Sequence, residues 1–172
     1  MKKYKNLIAF VLLIAIVIGS VAWNEYRSKK IAYVSTTNLY DGFTLKKELE
    51  DKYKKTQLTR QTMLDSLKFR IQALSLKGKD ITEEDKLQFN DLQRTYLYKE
   101  KEFNDENDLA AQQYSDQIWK QINQYVADYG KENGYDYLLG ATGQGNIMFA
   151  KEKEDITKEV LDYINKKYSG VK

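Results

Sequence analysis

Leu76-Lys77-Gly78-Lys79-Asp80-Ile81-Thr82-Glu83-Glu84-Asp85 is the stretch on which the fold turns, because it holds the only glycine between Thr44 and Tyr129. Gly78 suits the left-handed residue past a helix end, and Lys77 suits the negative end of the helix dipole. Thr82 followed by Asp85 three residues on reads as a capping box, with Glu83 and Glu84 placed in a new first turn. One helix therefore stops and another starts at once. So short a link makes the two antiparallel neighbours.

Upstream of the break, Leu45, Leu49 and Tyr53 begin an apolar stripe. Leu64, Leu67, Ile71 and Leu74 continue it at the alternating three- and four-residue steps of a coiled-coil seam. Between them Lys54 to Thr62 is polar except for Leu58, so the seam is weak there and the segment is free to bend. Downstream, Phe89, Leu92, Tyr96, Phe103, Ala110, Tyr114, Ile118, Ile122, Tyr125 and Tyr129 share one drifting face. Lys99 and Glu106 interrupt it. A helix over about 47 residues spans roughly 70 Å. That is too long to lie over one small core, so the hairpin, residues 44–129, must project as an arm.

The arm needs a base. Lys30-Ile31-Ala32-Tyr33-Val34-Ser35 reads as a strand, with Thr36 or Thr37 capping a short helix and Gly42 bending the chain. After a helix end at Gly130 or Gly134, Tyr135 to Ala141 reads as a second strand. Thr142 to Asn146 reads as a turn and Ile147 to Ala150 as a third strand, completing a β-hairpin. Asp155 or Thr157 caps a last helix with Val160, Leu161, Ile164 and Tyr168 on its apolar face. The reading is α+β, mostly α: a long antiparallel coiled-coil helical hairpin on a small β-containing body formed by residues 30–43 and 130–170. Three short strands and one helix are a thin core, and small bodies of this kind commonly need oligomerisation. Ile31, Val34, Leu138, Leu139, Ile147, Phe149, Ile164 and Tyr168 are the apolar residues expected to be shared between copies.

Composition excludes much. The 172 residues include no histidine, no cysteine and no proline. The commonest general base, thiolate chemistry, disulfides and cysteine-ligated metals are therefore absent, and no helix interior is broken by proline. Gly140, Gly143 and Gly145 lack the lysine and following helix of a phosphate loop. Carboxylates such as Glu83 and Glu84 are explained by the helix start. An enzyme, a cofactor and a metal are not expected. Net charge is +3, but Lys2, Lys3, Lys5, Arg27, Lys29 and Lys30 stand against Glu25 in the first thirty residues, so the remainder is weakly negative. No basic stripe marks a nucleic-acid face. Hydrophobic content of 42% with 31% charge, and 14 tyrosines against 6 phenylalanines, suits long wet helices, since tyrosine covers apolar surface while its hydroxyl stays in water.

Lys2, Lys3 and Lys5 precede the apolar run Leu7 to Ile18 and the small residues Gly19 to Ala22. This is an export signal. Ser20-Val21-Ala22 offers a cleavage site, while the run through Ala22 also approaches the length of a spanning helix with Trp23 and Tyr26 at its far interface. Residues 1–22 are thus a signal peptide or an N-terminal membrane anchor, the latter giving membrane association through residues 7–22.

Lys30 to Val34 just after the signal, the charged hairpin, Lys131-Glu132-Asn133-Gly134-Tyr135-Asp136-Tyr137-Leu138-Leu139, and Asp155-Ile156-Thr157 opening the last helix together resemble the Skp/OmpH periplasmic chaperones. The similarity runs over essentially the whole chain past the signal. It implies a homotrimer whose three arms enclose a cavity in the periplasm of a Gram-negative-type cell, either soluble after cleavage or anchored in the inner membrane. It also implies an ATP-independent holdase that binds unfolded outer-membrane proteins and prevents their aggregation. Arms of the best-known members are strongly basic, whereas this hairpin is nearly neutral, which favours an apolar and tyrosine grip. Leu64, Leu67, Phe69, Phe89, Tyr96 and Phe103 are the expected client-facing residues, and each is alternatively explained by packing between the two helices. The rival reading is an anchored coiled-coil spacer or adaptor in the cell envelope.

Overall fold

The computed structural model describes residues 29–170, so the signal or anchor predicted over residues 1–22 lies outside the described residues. Two strands, β1 (Ile31–Ser35) and β2 (Tyr137–Ala141), are separated in the chain by α1 (Thr36–Gly42), α2 (Thr44–Ser75) and α3 (Glu83–Glu132). Helix α4 (Thr157–Tyr168) closes the chain. The strands pair in parallel, Ile31 opposite Tyr137 and Ser35 opposite Ala141. The whole arm therefore lies within the crossover of one β–α–α–α–β unit.

The tip forms as its residues dictate. Gly78 takes a left-handed φ of 54°. Thr82 accepts from the Asp85 amide, and the Asp85 carboxylate accepts from the Thr82 amide, completing a capping box. Helix α3 is 50 residues long, about 75 Å. At its far end Gly134, with φ 67°, ends the helix, while Gly130 lies inside it. Gly130 is buried where a Cβ would stand 3.2 Å from Leu138 Cδ1, so it sets how closely β2 approaches α3.

The body differs from the sequence reading in two respects. Residues Ile147 to Ala150 form no strand, and the expected β-hairpin is absent. Asn146 folds the turn back on the end of β2: its Oδ1 accepts from the Thr142 amide at 3.0 Å and from the Thr142 hydroxyl at 2.9 Å, and its Nδ2 donates to Gly140 O. The chain thereby leaves the antiparallel path, and β2 pairs with β1 instead. The cap of α1 is Ser35, whose hydroxyl accepts from the Asn38 amide, rather than Thr36 or Thr37.

The body is also better filled than its strands suggest. Ala32 and Val34 point inward from β1 onto Leu39 and Phe43, onto Ile156, Val160 and Ile164, and onto the roots of both long helices at Leu45, Leu49, Ile118 and Ile122. Phe43 is fully buried, edge-on to Tyr125 and Tyr168. The arm is thus anchored by the start of α2 and the closing turns of α3. Helix α2 starts at Phe43, which offers no side-chain cap. Asn165 of α4 supplies one across the fold: its Oδ1 accepts from the Thr44 amide at 2.8 Å and the Thr44 hydroxyl at 2.9 Å, and its Nδ2 donates to Gly42 O at 3.2 Å.

Candidate functional site: the projecting arm and the apolar body face

The two helices of the arm meet along the predicted seam, but the burial is discontinuous. Near the root the seam belongs to the body core and ends with Tyr53 edge-on to Tyr114. Towards the tip a separate cluster forms from Leu67, Leu74 and Leu92, with Ile71, Phe89 and Tyr96 packed against it. Between Lys54 and Met63 only Arg60 is even half-buried. Arg60 crosses to α3, where its guanidinium donates to Asn107 Oδ1 and Glu106 Oε2 and lies 5.3 Å from the centre of the Phe103 ring. The Lys99 ammonium approaches the same ring at 5.6 Å and pairs with Glu102 at 2.5 Å. The bond to Glu102 raises the Lys99 pKa. Charge over an aromatic face here replaces leucine against leucine, so the waist is held by polar contacts.

At the tip, Lys77 bonds Asp85 at 2.6 Å. That bond first, and then the hydrogen bonds from Thr82, hold the Asp85 pKa down to about 2. Tyr96 donates to Glu100 at 2.9 Å, which raises its phenol pKa. These groups fasten the arm. Among the described residues no cluster of acidic side chains is placed to hold a metal ion.

The residues predicted to face a client separate into two kinds. Leu67, Phe89 and Tyr96 pack in the tip cluster, Leu64 is half-buried in the seam, and Phe103 lies beneath its two cations. Only Phe69 is openly presented, at 72% exposure. Sequence reasoning missed Leu58, Leu97, Tyr98 and Leu109, each more than half exposed on the arm. Leu97 borders a shallow cavity of about 340 Å³, lined also by Lys68, Ile71, Gln93 and Tyr96.

The body residues predicted to be shared between copies separate similarly. Val34 and Ile164 are consumed by the protomer's own core. Leu138 is half-buried on Gly130, and Tyr168 packs on Phe43 while its hydroxyl donates to Glu48 at 2.5 Å. Ile31 and Leu139 remain on the outer face of the sheet together with Tyr137, each between 43% and 50% exposed. Ile147 and Phe149 join Ile31 and Leu139 around a cavity of about 430 Å³. The edge of β1 away from β2 is partly closed, since Tyr33 O accepts from the Ile156 amide and the Ser35 amide donates to Thr157 Oγ1. The outer edge of β2 has no strand partner among the described residues.

A long paired-helix arm on a body with an uncovered apolar sheet face defines an arm-bearing class of helical-hairpin protein. The description "Outer membrane protein (OmpH-like)" belongs to the family whose profile matches residues 30–164. The chain belongs to this OmpH-like family. It is similar to the chaperone protein Skp of Yersinia enterocolitica, with 24% identity over 146 residues, covering 80% of this chain and 87% of that one. Its fold matches the crystal structure of an OmpH-like outer membrane chaperone from Caulobacter crescentus with a TM-score of 0.65 and 15% identity, covering 81% of this chain and 86% of that one. Among the described residues no helix is long and apolar enough to cross a membrane.

Proposed function

We propose that this protein is an ATP-independent holdase of the periplasm that binds unfolded outer-membrane proteins between the arms of a homotrimer. The observation that carries the reading is the waisted arm with large side chains left in water on both helices. A rigid spacer gains nothing from an exposed Phe69, Leu97 and Tyr98, whereas a holdase needs many weak apolar contacts tolerant of client sequence. A chain that binds the unfolded client in preference to the folded one suppresses aggregation by mass action, with no need of nucleotide.

The trimer draws on the body face. A two-stranded sheet is marginal unless its faces are covered. Ile31, Tyr137 and Leu139 present one uncovered face, Ile147 and Phe149 adjoin it, and β2 offers an open edge. We assign the subunit contact to these residues. Leu138 and Tyr168 form its rim. The near-neutral arm assigns client capture to apolar and tyrosine contacts around Phe69 and the cavity beside Leu97, so binding should survive added salt.

The test is light scattering of an unfolded barrel protein diluted from urea, with and without this protein at one trimer per client and without ATP. Suppression that persists at 0.5 M NaCl is expected. Loss of suppression when Phe69 and Leu97 are both changed to serine would tie it to the arm. No suppression by the wild-type chain would overturn the reading in favour of an envelope adaptor.

A further inference from the structure

Among the large side chains that the arm leaves exposed, four fall into two lines. Leu58 and Phe69 stand on α2, Tyr98 and Leu109 on α3, and all are between 56% and 72% exposed. Within each pair the step is eleven positions, three turns or about 16 Å. A step of eleven keeps side chains in line along a nearly straight helix. Both lines lie away from the seam residues that join the helices.

Their heights along the arm agree. The contacts Tyr53 with Tyr114 and Arg60 with Asn107 fix the antiparallel register. Ile71 and Tyr96 in the tip cluster keep it. Each residue gained on α2 is one given up on α3, so Leu58 stands level with Leu109, and Phe69 stands level with Tyr98. Within one arm this agreement does nothing, because the two lines look outward from different helices. In a ring it is a requirement. Copies related by rotation about one axis keep their heights, and the contact between neighbours joins two different faces at one level.

We propose that in the client-free trimer adjacent arms close side by side, with Leu58 and Phe69 of one copy packed on Leu109 and Tyr98 of the next. The inference rests on the trimeric reading above and adds a resting state to it. Asp65 and Lys101, both exposed, fall between the two rungs at nearly one height with opposite charge. Nearer the root Asp51 and Asp116 stand level with like charge, so the contact begins at Leu58 and runs outward. Four side chains per interface make a weak contact, but arms tethered on one body meet at high effective concentration. An unfolded apolar segment competes for the same side chains and opens the ring.

The native chain has no cysteine, so paired substitutions in the full-length protein give a clean assay. Leu58→Cys with Leu109→Cys, and Phe69→Cys with Tyr98→Cys, should oxidise to covalently linked dimers and trimers on a non-reducing gel. The offset pair Leu58→Cys with Tyr98→Cys, displaced by about 16 Å along the helices, should give at least tenfold less. A disulfide needs Cα atoms within about 7 Å. An equimolar unfolded barrel protein should abolish the product of the Leu58→Cys with Leu109→Cys pair, which leaves Phe69, Leu97 and Tyr98 intact. Equal linking by the offset pair, no linking at all, or linking that ignores the client would each overturn the closed ring. Light scattering of the same variants separates the failures: trimers that do not link refute the arm contact alone, and monomers refute the trimer beneath it.

Discussion

Asn165 is the residue whose removal most directly tests how the arm is fixed to its base. Its side chain caps α2 from a distant helix, accepting from the amide and hydroxyl of Thr44 and donating to the carbonyl of Gly42. Asn165→Ala deletes all three bonds. Loss of an N-cap costs about 1 kcal/mol. Leaving Gly42 O and the Thr44 amide without partners adds about 1–3 kcal/mol where water is excluded. All three residues are half-buried, so water recovers part of this, and the sum is about 2–3 kcal/mol. At roughly 2–4 °C per kcal/mol for a chain of this size, Tm falls by about 5–10 °C. Asn165→Asp keeps the acceptor and sets a negative charge at a helix N-terminus, but it turns an oxygen towards Gly42 O, so its cost should lie between wild type and alanine. Urea unfolding followed by far-UV circular dichroism measures the order at one fixed protein concentration, because assembly makes apparent stability concentration-dependent. Hydrogen exchange at Thr44 and Leu45 localises the loss. An alanine variant within 0.5 kcal/mol of wild type, or an aspartate variant below alanine, would refute the cross-fold cap.

Three further perturbations follow from other contacts. Asp85 is held to a pKa of about 2, below the ordinary 3.8, so its contribution is fully present above pH 4 and is lost as pH falls towards 2. Amide exchange over Thr82–Lys86 should accelerate across that window, and Asp85→Asn should lack the acid-dependent step; an unchanged profile in the variant would contradict the assignment. Gly140→Ala would set a Cβ 2.8 Å from the Thr36 methyl, an overpacking cost of about 1–3 kcal/mol. Adding Thr36→Ser, which removes the methyl but retains the hydroxyl bonded to Ala141 O, should recover most of it, and a double-mutant cycle without coupling would sink the idea. Arg60→Leu with Asn107→Leu converts the waist to a continuous seam, which should stabilise the arm by about 1–2 kcal/mol from the area buried and slow exchange over residues 54–66; faster exchange would show that the polar bridge is the stronger fastening.

The arm was legible because its signals are local. Gly78, Thr82 and Asp85 lie within eight residues of chain, and the seam repeats at helical spacing. The body was less so, because its decisive contacts join residues far apart. The parallel pairing of Ile31 with Tyr137 depends on the arm bringing the strands together, whereas Ile147 to Ala150 carried a local strand pattern that Asn146 overrides from the preceding turn. The same distance hides Asn165, since nothing around Thr44 announces that a helix near the C-terminus will cap it. Val34 and Ile164 read as surface to be shared because Leu45, Leu49, Ile118 and Ile122 had been assigned to the arm. Those helix roots fill the protomer's core. Leu58, Tyr98 and Leu109 escaped for another reason: a search for steps of three and four follows the seam, and an outer line at steps of eleven is orthogonal to it.

The division of apolar residues between base and tip has a mechanical consequence. Eleven buried side chains tie the base together, including Leu45 and Leu49 at the start of α2 and Ile118 and Ile122 towards the end of α3, whereas only Leu67, Leu74 and Leu92 are buried beyond the waist. At about 1.5–3 kcal/mol for each large buried aliphatic side chain, the tip gains a small fraction of what the base does. The same number of helical residues must nevertheless be ordered there, and the caps at Thr82 and Asp85 offset only part of that cost. Opening is therefore cheapest at the tip and rises steeply at the root. The client contacts proposed at Phe69, Leu97 and Tyr98 lie on the cheap side of Arg60. The segment that must adapt to an irregular client is the one whose rearrangement leaves the base intact, and the Arg60–Phe103 bridge marks the boundary between them.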